Sequence, residues 1–172
     1  MLKFSQVPIT LTERKTIVQS AHNLSEKEAL ASEITHNLFM SAENIQGNLL
    51  EEFISINILP FGFYWCNGNV LRAIDFCNSN GSLLLQIKNK NNTENSSSSN
   101  IRVGTSIKKW FRLGSKTMNG IKVPSYKWSI LNDLINNYKT QNLNDICNIS
   151  EVDYINFLVD VATNNQNLIT SM

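Results

Sequence analysis

The chain has few of the residues that build disulfide frameworks and histidine-based metal sites. Its 172 residues include only 3 cysteines and 2 histidines. Cys66, Cys77 and Cys147 are odd in number and share no metal-ligand spacing, which favours a reducing compartment over a disulfide scaffold. Because His22 and His36 both lie near the N-terminus, we do not expect a zinc site built on histidine.

Long apolar runs are also missing. No stretch reaches membrane-spanning length, and the first residues, 1–6, lack the apolar core of a signal peptide. Hydrophobic residues make up 42% of the chain and the mean hydropathy is −0.18, values typical of a globular protein. We therefore expect a single cytoplasmic domain over residues 1–172, large enough to bury a core.

Charge of one sign is not in excess, since the formal net charge is only +1. Its distribution is uneven: residues 88–127 are basic, with Glu94 as the one acid among them, and acidic residues follow from Asp133 onward. A local basic segment is what contact with phosphates requires. The alternative is an ordinary solvated, lysine-rich surface.

Helical patterns flank a central region of strands. Apolar spacing predicts helices over about residues 10–40 and 41–58, with Ser25 and Glu28 forming a capping box. Residues 61–65 read as an aromatic strand. Further helices are predicted over residues 105–113, 126–138 and 150–162. This order suits a mixed sheet with helices packed on it.

The most informative segment is a predicted β-hairpin. Two apolar runs, residues 71–76 and 83–89, are joined by a turn over residues 78–81 that ends in Gly81. Gln86 and Lys88 are two residues apart on the second strand, so their side chains share a face. Antiparallel pairing places Asp75 of the first strand beside them.

An acid, an amide oxygen and a lysine on one sheet face are the groups needed to hold Mg²⁺ at a phosphate. We expect Asp75 to be the main ligand, with the side-chain oxygen of Gln86 and the backbone carbonyl of Ile87 as further ligands. Lys88 then orients the attacking water or stabilises charge on the phosphate. The alternative for Lys88 is a lysine that extends to solvent at a strand end.

A further carboxylate is expected from the preceding helix, because Gln86 is neutral. Glu51 interrupts an apolar stripe on residues 41–58, and burying an unpaired carboxylate is costly. It is therefore a candidate metal ligand, with Glu52 as the alternative. Both glutamates also fit a solvent-exposed edge of the stripe.

The hairpin and the segment after it resemble a known family. Residues 71–76 (Leu-Arg-Ala-Ile-Asp-Phe), residues 84–89 (Leu-Leu-Gln-Ile-Lys-Asn), the run at 94–99 and the basic stretch 101–112 are similar to type II restriction endonucleases of the SinI kind. These belong to the PD-(D/E)XK nuclease superfamily. The resemblance covers about residues 47–112.

The resemblance implies an α/β (α+β) fold with a central mixed sheet flanked by helices. It divides the single domain into a helical N-terminal part (1–40), a catalytic core with a DNA-facing loop (41–113) and a helical C-terminal part (114–172). Asp75 matches the first acid of the superfamily motif and Lys88 its final lysine. The second acidic position is occupied by Gln86, a departure from the motif. The glutamate often found on the helix matches Glu51.

Family membership implies Mg²⁺-dependent cleavage of double-stranded DNA at a short GC-rich palindrome. A palindromic site implies a homodimer, and a companion DNA methyltransferase would protect the host. Polar and basic side chains after the hairpin are suited to base edges and phosphates. These candidate DNA-binding residues are Asn91, Asn92, Asn95, Ser97, Ser98, Asn100, Arg102, Lys108, Lys109 and Arg112.

The sequence is also compatible with three alternatives. The first is a DNA-binding protein of the same fold with weakened catalysis, which the neutral Gln86 favours. The second is a helical protein-interaction module in which the hairpin is only structural. The third is a nuclease that prefers branched DNA. Salt-dependent DNA affinity and Mg²⁺-dependent cutting distinguish them.

Overall fold

The computed structural model describes residues 16, 19–66, 73–90, 106–165 and 168. The chain forms two compact units, one of residues 1–44 with 167–172 and the other of residues 45–166. None of the described helices is long and apolar enough to cross a membrane. Every described residue of the predicted metal site belongs to the second unit.

A long helix, α1, runs over Glu26–Ile58 without interruption. We predicted two helices meeting near Ser41, and that break is wrong. No proline lies within the 33 residues, and the helix tolerates its one glycine, Gly47, so backbone hydrogen bonding continues through it. The predicted capping box at its start is confirmed, because the amide and hydroxyl of Ser25 both donate to the carboxylate of Glu28, at 2.9 and 2.6 Å.

The helix ends in a short 3-10 turn, Leu59–Phe61, and the chain then enters the sheet. Gly62 adopts φ 84°, a left-handed conformation that favours glycine. A side chain here would also collide with Thr140, whose Oγ1 lies 2.1 Å from the position of an added Cβ. Strand β1, Phe63–Trp65, follows directly and confirms the predicted aromatic strand.

The predicted hairpin is present, with strands β2 (Phe76–Asn78) and β3 (Leu84–Lys90) paired antiparallel. The first strand begins later than we predicted. Ala73 has a positive φ of 66° and Asp75 lies in a bend, so the chain becomes extended only at Phe76. Buried Asn78 holds the turn, since its Oδ1 accepts from the amide of Leu83 at 2.9 Å.

Residues 107–126 form a second hairpin, which we did not predict. Strand β4 is Ile107–Met118 and β5 is Ile121–Tyr126, so the helix predicted over 105–113 is wrong and residues 114–126 are not helical. Asn119 and Gly120 both have positive φ, 51° and 78°, as a tight two-residue hairpin turn requires. β-pairing on both sides of β4 outweighs its amphipathic spacing.

The described strands form one mixed sheet in the order β1-β2-β3-β4-β5. Neighbouring strands are antiparallel except β3 and β4, which are parallel. Helices α2 (Trp128–Tyr138) and α3 (Glu151–Asn164) confirm the last two predicted helices. The observed architecture is thus the predicted α+β fold, a mixed sheet with helices.

One face of the sheet packs on the helices. Leu85 and Ile87 of β3 and Trp110 of β4 join a buried cluster with the second half of α1 and with α2 and α3. Phe53 of α1 contacts the rings of Trp128, Tyr154 and Phe157, with centroids 5.3–5.7 Å apart. The opposite face carries the alternate residues of β3 and β4, including Gln86 and Lys88.

A buried ion pair joins the core face of the sheet to α3. The guanidinium of Arg112 in β4 bonds to the carboxylate of Glu151 and also donates from Nε to Asn89 at 2.8 Å. The other carboxylate oxygen of Glu151 accepts from the indole of Trp128 at 2.8 Å. Arg112 further lies 4.9 Å from the ring of Tyr154. This arginine therefore has internal partners on several sides.

Replacing Glu151 by alanine should strongly destabilise the fold. The change leaves the guanidinium of Arg112 buried without its carboxylate partner. Because an unpaired buried charge is costly, the free energy of unfolding should fall by about 3–5 kcal/mol. Urea unfolding of the two proteins measures this difference. The exposed Asp133→Ala change in α2 is the control, with an effect within about 0.5 kcal/mol. Equal losses for both variants would show that the ion pair is unimportant.

Candidate metal and catalytic site

A side-chain hydrogen bond fixes the carboxylate of Asp75 against β3. The amide of Asp75 donates to the carbonyl of Leu85 at 2.9 Å, and its Oδ2 accepts from the amide of Ile87 at 2.6 Å. The carboxylate thus occupies the place of a backbone acceptor just before β2 begins. This contact orients it on the strand that carries Gln86 and Lys88.

Glu51 approaches the same place from α1. The buried stripe of this helix includes Leu50 and Ile54, and Glu51 is half-buried at its edge. Its Oε2 accepts a hydrogen bond of 3.2 Å from the indole nitrogen of Trp65 at the end of β1. Our sequence reasoning missed Trp65, since the aromatic pattern of β1 does not reveal which group its indole contacts.

The charges of three predicted site residues act on one another. Burial, and next the negative charge of Asp75, raise the pKa of Glu51, while Trp65 and the positive charge of Lys88 lower it. Burial likewise raises the pKa of Asp75, opposed by the amide of Ile87 and by Lys88. Asp75 and Lys88 therefore lie within electrostatic reach of Glu51, and both carboxyls are poorly solvated.

Gln86 completes this group with an unsatisfied oxygen. Extending the Phe76–Leu85 pair by one residue puts Gln86 opposite Asp75, on the same face as Lys88. Its side chain is only 7% exposed, and its Oε1 is buried without a hydrogen-bond partner among the described residues. A buried polar atom without a partner costs about 1–3 kcal/mol, so it requires an explanation.

These donors fit a hard divalent cation. Two carboxylates that repel each other and one unpaired amide oxygen are all oxygen ligands of the kind Mg²⁺ prefers. The set is limited, because no group of three or more His, Cys, Asp or Glu side chains suited to a metal occurs among the described residues. Gln86 occupies a position where an acid would add a further carboxylate.

Two thiols, Cys66 and Cys77, lie near Asp75. The Sγ atoms of Cys66 and Cys77 are 3.5 Å apart, too far for a disulfide bond of about 2.05 Å. Burial and the neighbouring Cys77 raise the pKa of Cys66 to about 11. Cys66 therefore stays protonated at neutral pH and is a poor nucleophile or metal ligand.

The predicted DNA-binding residues fall into three groups. Lys108 and Lys109 lie on β4, where Lys108 is exposed and donates to the hydroxyl of Tyr138 at 3.3 Å. Arg112 points into the core instead and is not part of the proposed DNA surface. The remaining candidates lie outside the described residues: Asn91, Asn92, Asn95, Ser97, Ser98, Asn100 and Arg102. Among the metal-ligand candidates, the alternative to Glu51, Glu52, is exposed.

Comparison with known proteins identifies relatives of this chain. Residues 3–145 match the family described as SinI restriction endonuclease. The type II restriction enzyme Eco47I of Escherichia coli is 51% identical over 85 residues, and the type II restriction enzyme SinI of Salmonella infantis is 48% identical over 85 residues. Each alignment covers 47% of this chain and 37% of the relative, so the chain spans well under half of each relative's length.

Neutralising Glu51 should stabilise the metal-free protein. The fold raises the pKa of this carboxyl above its ordinary value of 4.5. The contribution of the protonated carboxyl to the free energy of unfolding is therefore fully present below pH 4.5 and is lost as the pH rises through the raised pKa. Glu51→Gln keeps an acceptor for Trp65 and removes the charge. Since solvent screens a half-buried group, the gain in Tm at neutral pH in chelator should be about 1–3 °C.

Two comparisons test this expectation. The gain should vanish below pH 4.5, where the wild-type carboxyl is protonated, and the exposed Glu52→Gln change should alter Tm at neither pH. Adding Mg²⁺ should raise Tm of the wild type more than that of Glu51→Gln. A variant that melts lower than the wild type at neutral pH would contradict the proposed repulsion between the carboxyls.

Proposed function

This chain belongs to the SinI restriction endonuclease family, and from that premise we propose that it carries the catalytic core of a type II restriction endonuclease. The reaction is Mg²⁺-dependent hydrolysis of phosphodiester bonds in double-stranded DNA at a short GC-rich palindrome. The two curated relatives are both named type II restriction enzymes, which supports this assignment.

Two observations support the proposal: the charges of Asp75 and Lys88 act on Glu51, and Gln86, which the strand register places opposite Asp75, has a buried oxygen without a partner among the described residues. Two desolvated carboxyls beside each other are unfavourable without a cation, and a lysine alone offsets them only in part. A buried oxygen without a partner completes the ligand set. Such an arrangement has a physical reason in a metal-dependent hydrolase.

Each side chain has a distinct role. Glu51 and Asp75 would hold the cation through carboxylate oxygens, with Gln86 and the carbonyl of Ile87 as neutral ligands. A bound Mg²⁺ would supply Lewis-acid activation of the phosphate and of the attacking water. Lys88 orients the attacking water or neutralises charge on the phosphate as the new P–O bond forms and one ester P–O bond breaks.

DNA recognition is assigned to the segment that follows β3. The Asn, Ser and Arg side chains between residues 91 and 102 present donors and acceptors that suit base edges, while Lys108 and Lys109 suit phosphates. A palindromic site is matched by a homodimer with two-fold symmetry. A companion DNA methyltransferase is the functional partner that protects the host's own sites.

Removing the central ligand or the lysine should abolish cutting. Asp75→Asn and Lys88→Ala each lose a charge needed in the transition state, and a loss of several kcal/mol corresponds to about 10³-fold or more in rate. Digestion of a defined plasmid in Mg²⁺, with the ends mapped by sequencing, measures the rate and the site together. Asn at position 75 keeps an oxygen that can accept from Ile87, so the fold should persist.

The neighbouring glutamates provide a matched control. Glu51→Gln should lower the cutting rate strongly, whereas Glu52→Gln should cut at the wild-type rate, because Glu52 is exposed. The reverse result would assign the helix ligand to Glu52. Undiminished cutting by Asp75→Asn would contradict the proposed site as a whole.

The neutral Gln86 favours a second candidate function, a DNA-binding protein of the same fold with weakened catalysis. The change Gln86→Glu supplies the missing carboxylate, and ligand charge tunes the affinity of oxygen sites for divalent cations. We expect the Mg²⁺ concentration for half-maximal cutting to fall roughly tenfold. An unchanged or higher Mg²⁺ requirement would show that residue 86 is not a ligand. A wild-type protein that binds DNA and cuts none would favour the second candidate.

A further inference from the structure

Strands β4 and β5 continue beyond the pairing of β4 with β3. The last pair between β3 and β4 joins Lys90 to Leu113, whereas β4 and β5 stay paired as far as Met118 and Ile121. From Leu113 to Met118 the ribbon extends by about 17 Å, at about 3.3 Å per residue. We call residues 114–125 the β4–β5 arm. Within the described part of the chain, its two strands pair only with each other.

Both faces of the arm are exposed. Neighbouring residues of a strand point to opposite faces, and all residues from 115 to 122 are exposed. The arm therefore projects from the described part of the second unit. At its tip, Met118 and Ile121 flank the turn and are 53% and 67% exposed. Packing within the described residues does not account for these two apolar side chains.

The arm is basic and carries a lysine on each face. The sequence contains no acidic residue between positions 107 and 126. Lys122 is paired with Thr117, so both point to one face, whereas Lys116 is the neighbour of Thr117 and points to the other. Both lysines are exposed. Positive charge on two sides of a projecting ribbon suits a ligand that presents phosphates on two sides.

The dimensions of the arm match the major groove of DNA. Sheets pack about 10 Å apart, which is the thickness of one sheet with its side chains. The major groove is about 12 Å wide and admits a two-stranded β-ribbon, whereas the minor groove is only about 6 Å wide. An arm that enters the major groove tip first directs its two faces toward the two phosphate backbones that border the groove.

The arm begins close to the proposed catalytic lysine. In the pairing of β3 with β4, Lys88 is opposite Phe111, and the pairing ends at Leu113. The base of the arm is thus about 7 Å from Lys88 along the strand direction. One duplex can therefore contact Lys88 and the arm together.

A second copy of the chain is the other partner that such an arm could have, and the sequence of β5 disfavours it. β5 is an edge strand of the described sheet, and an edge strand can pair with a strand of another chain. Pro124 has no amide donor and Lys122 is charged, and both residue types on an edge strand oppose such pairing. These features favour DNA over strand addition between copies.

We propose that the β4–β5 arm enters the major groove of duplex DNA beside the cleavage site. Lys116 and Lys122 contact phosphates on opposite sides of the groove. Asn119 at the tip contacts base edges, because its amide both donates and accepts, and the apolar side chains of Met118 and Ile121 suit thymine methyl groups. This inference rests on the proposed function and adds a second DNA-contacting segment to it.

Salt dependence of DNA binding tests the two lysines. We expect Lys116→Ala and Lys122→Ala each to reduce the slope of log affinity against log salt by about 0.9, and the double variant by about twice that amount. The whole chain is titrated in chelator, so that no cutting occurs, with a duplex that carries the mapped cleavage site. The control is Lys27→Ala, which removes an exposed lysine of α1 and should leave the slope unchanged.

Chemical protection tests the groove. Guanine N7 lies in the major groove, so the bound wild type should shield guanines of the site from methylation by dimethyl sulfate. A shortened arm that lacks residues 117, 118, 121 and 122 moves the Asn119-Gly120 turn to the end of the Lys116–Val123 pair and keeps the strand register. We expect this variant to leave at least one of those guanines unprotected.

Several outcomes would overturn the role of the arm while leaving wild-type cutting intact. These are unchanged slopes in the lysine variants, an equal reduction in Lys27→Ala, or full guanine protection by the shortened variant. A shortened variant that no longer dimerises but keeps the wild-type slope would assign the arm to a second copy and overturn the proposal too. A wild type that neither binds nor cuts duplex DNA would contradict the proposed function itself.

Discussion

The hydrogen bond from the amide of Ile87 to Oδ2 of Asp75 is the contact on which the site depends. It ends the regular pairing of β2 and β3 and turns the carboxylate toward β3 rather than to solvent. Gln86 and Lys88 flank Ile87 in the sequence, so their side chains lie on the face of β3 opposite to that of Ile87. One backbone amide therefore sets the relation between the acid, the amide oxygen and the lysine.

That arrangement is costly in the absence of a cation. Burial raises the pKa of both Asp75 and Glu51, and the negative charge of Asp75 raises the pKa of Glu51 further. The site destabilises the fold, and the core stabilises it. In the core, aromatic rings of α1, α2 and α3 pack together and the Arg112–Glu151 ion pair is buried. Local instability of this kind is typical of catalytic sites, because their groups are arranged for a ligand.

The sequence predicted the β2–β3 hairpin because local signals are strong there. Turn residues at 78–81, alternating strand positions and the Asp75, Gln86 and Lys88 spacing all indicate the same local structure. It failed at Arg112 and the β4–β5 hairpin. Amphipathic spacing over 105–113 is typical of a helix, whereas the Asn119-Gly120 pair is a turn signal for the β4–β5 hairpin. Glu151, the partner of Arg112, is 39 residues away in the sequence, so no local pattern predicts this contact.

Some relations could not be predicted because they depend on the packing of distant elements. The indole of Trp65 reaches Glu51 only because β1 follows α1 through a turn at Gly62. Lys90, Lys109 and Lys127 line one pocket although they come from three separate places in the chain. Each lysine alone reads as an ordinary surface residue.

Locating a bound divalent cation tests the central claim most directly. Crystals soaked in Mn²⁺, which shares the oxygen-ligand preference of Mg²⁺, permit the ion to be placed by its anomalous scattering. The account predicts an ion about 2.1–2.2 Å from carboxylate oxygens of Asp75 and Glu51, with Oε1 of Gln86 in its coordination shell. An ion bound elsewhere, or a site in which residues 75 and 86 contact no metal at saturating Mn²⁺, would contradict it.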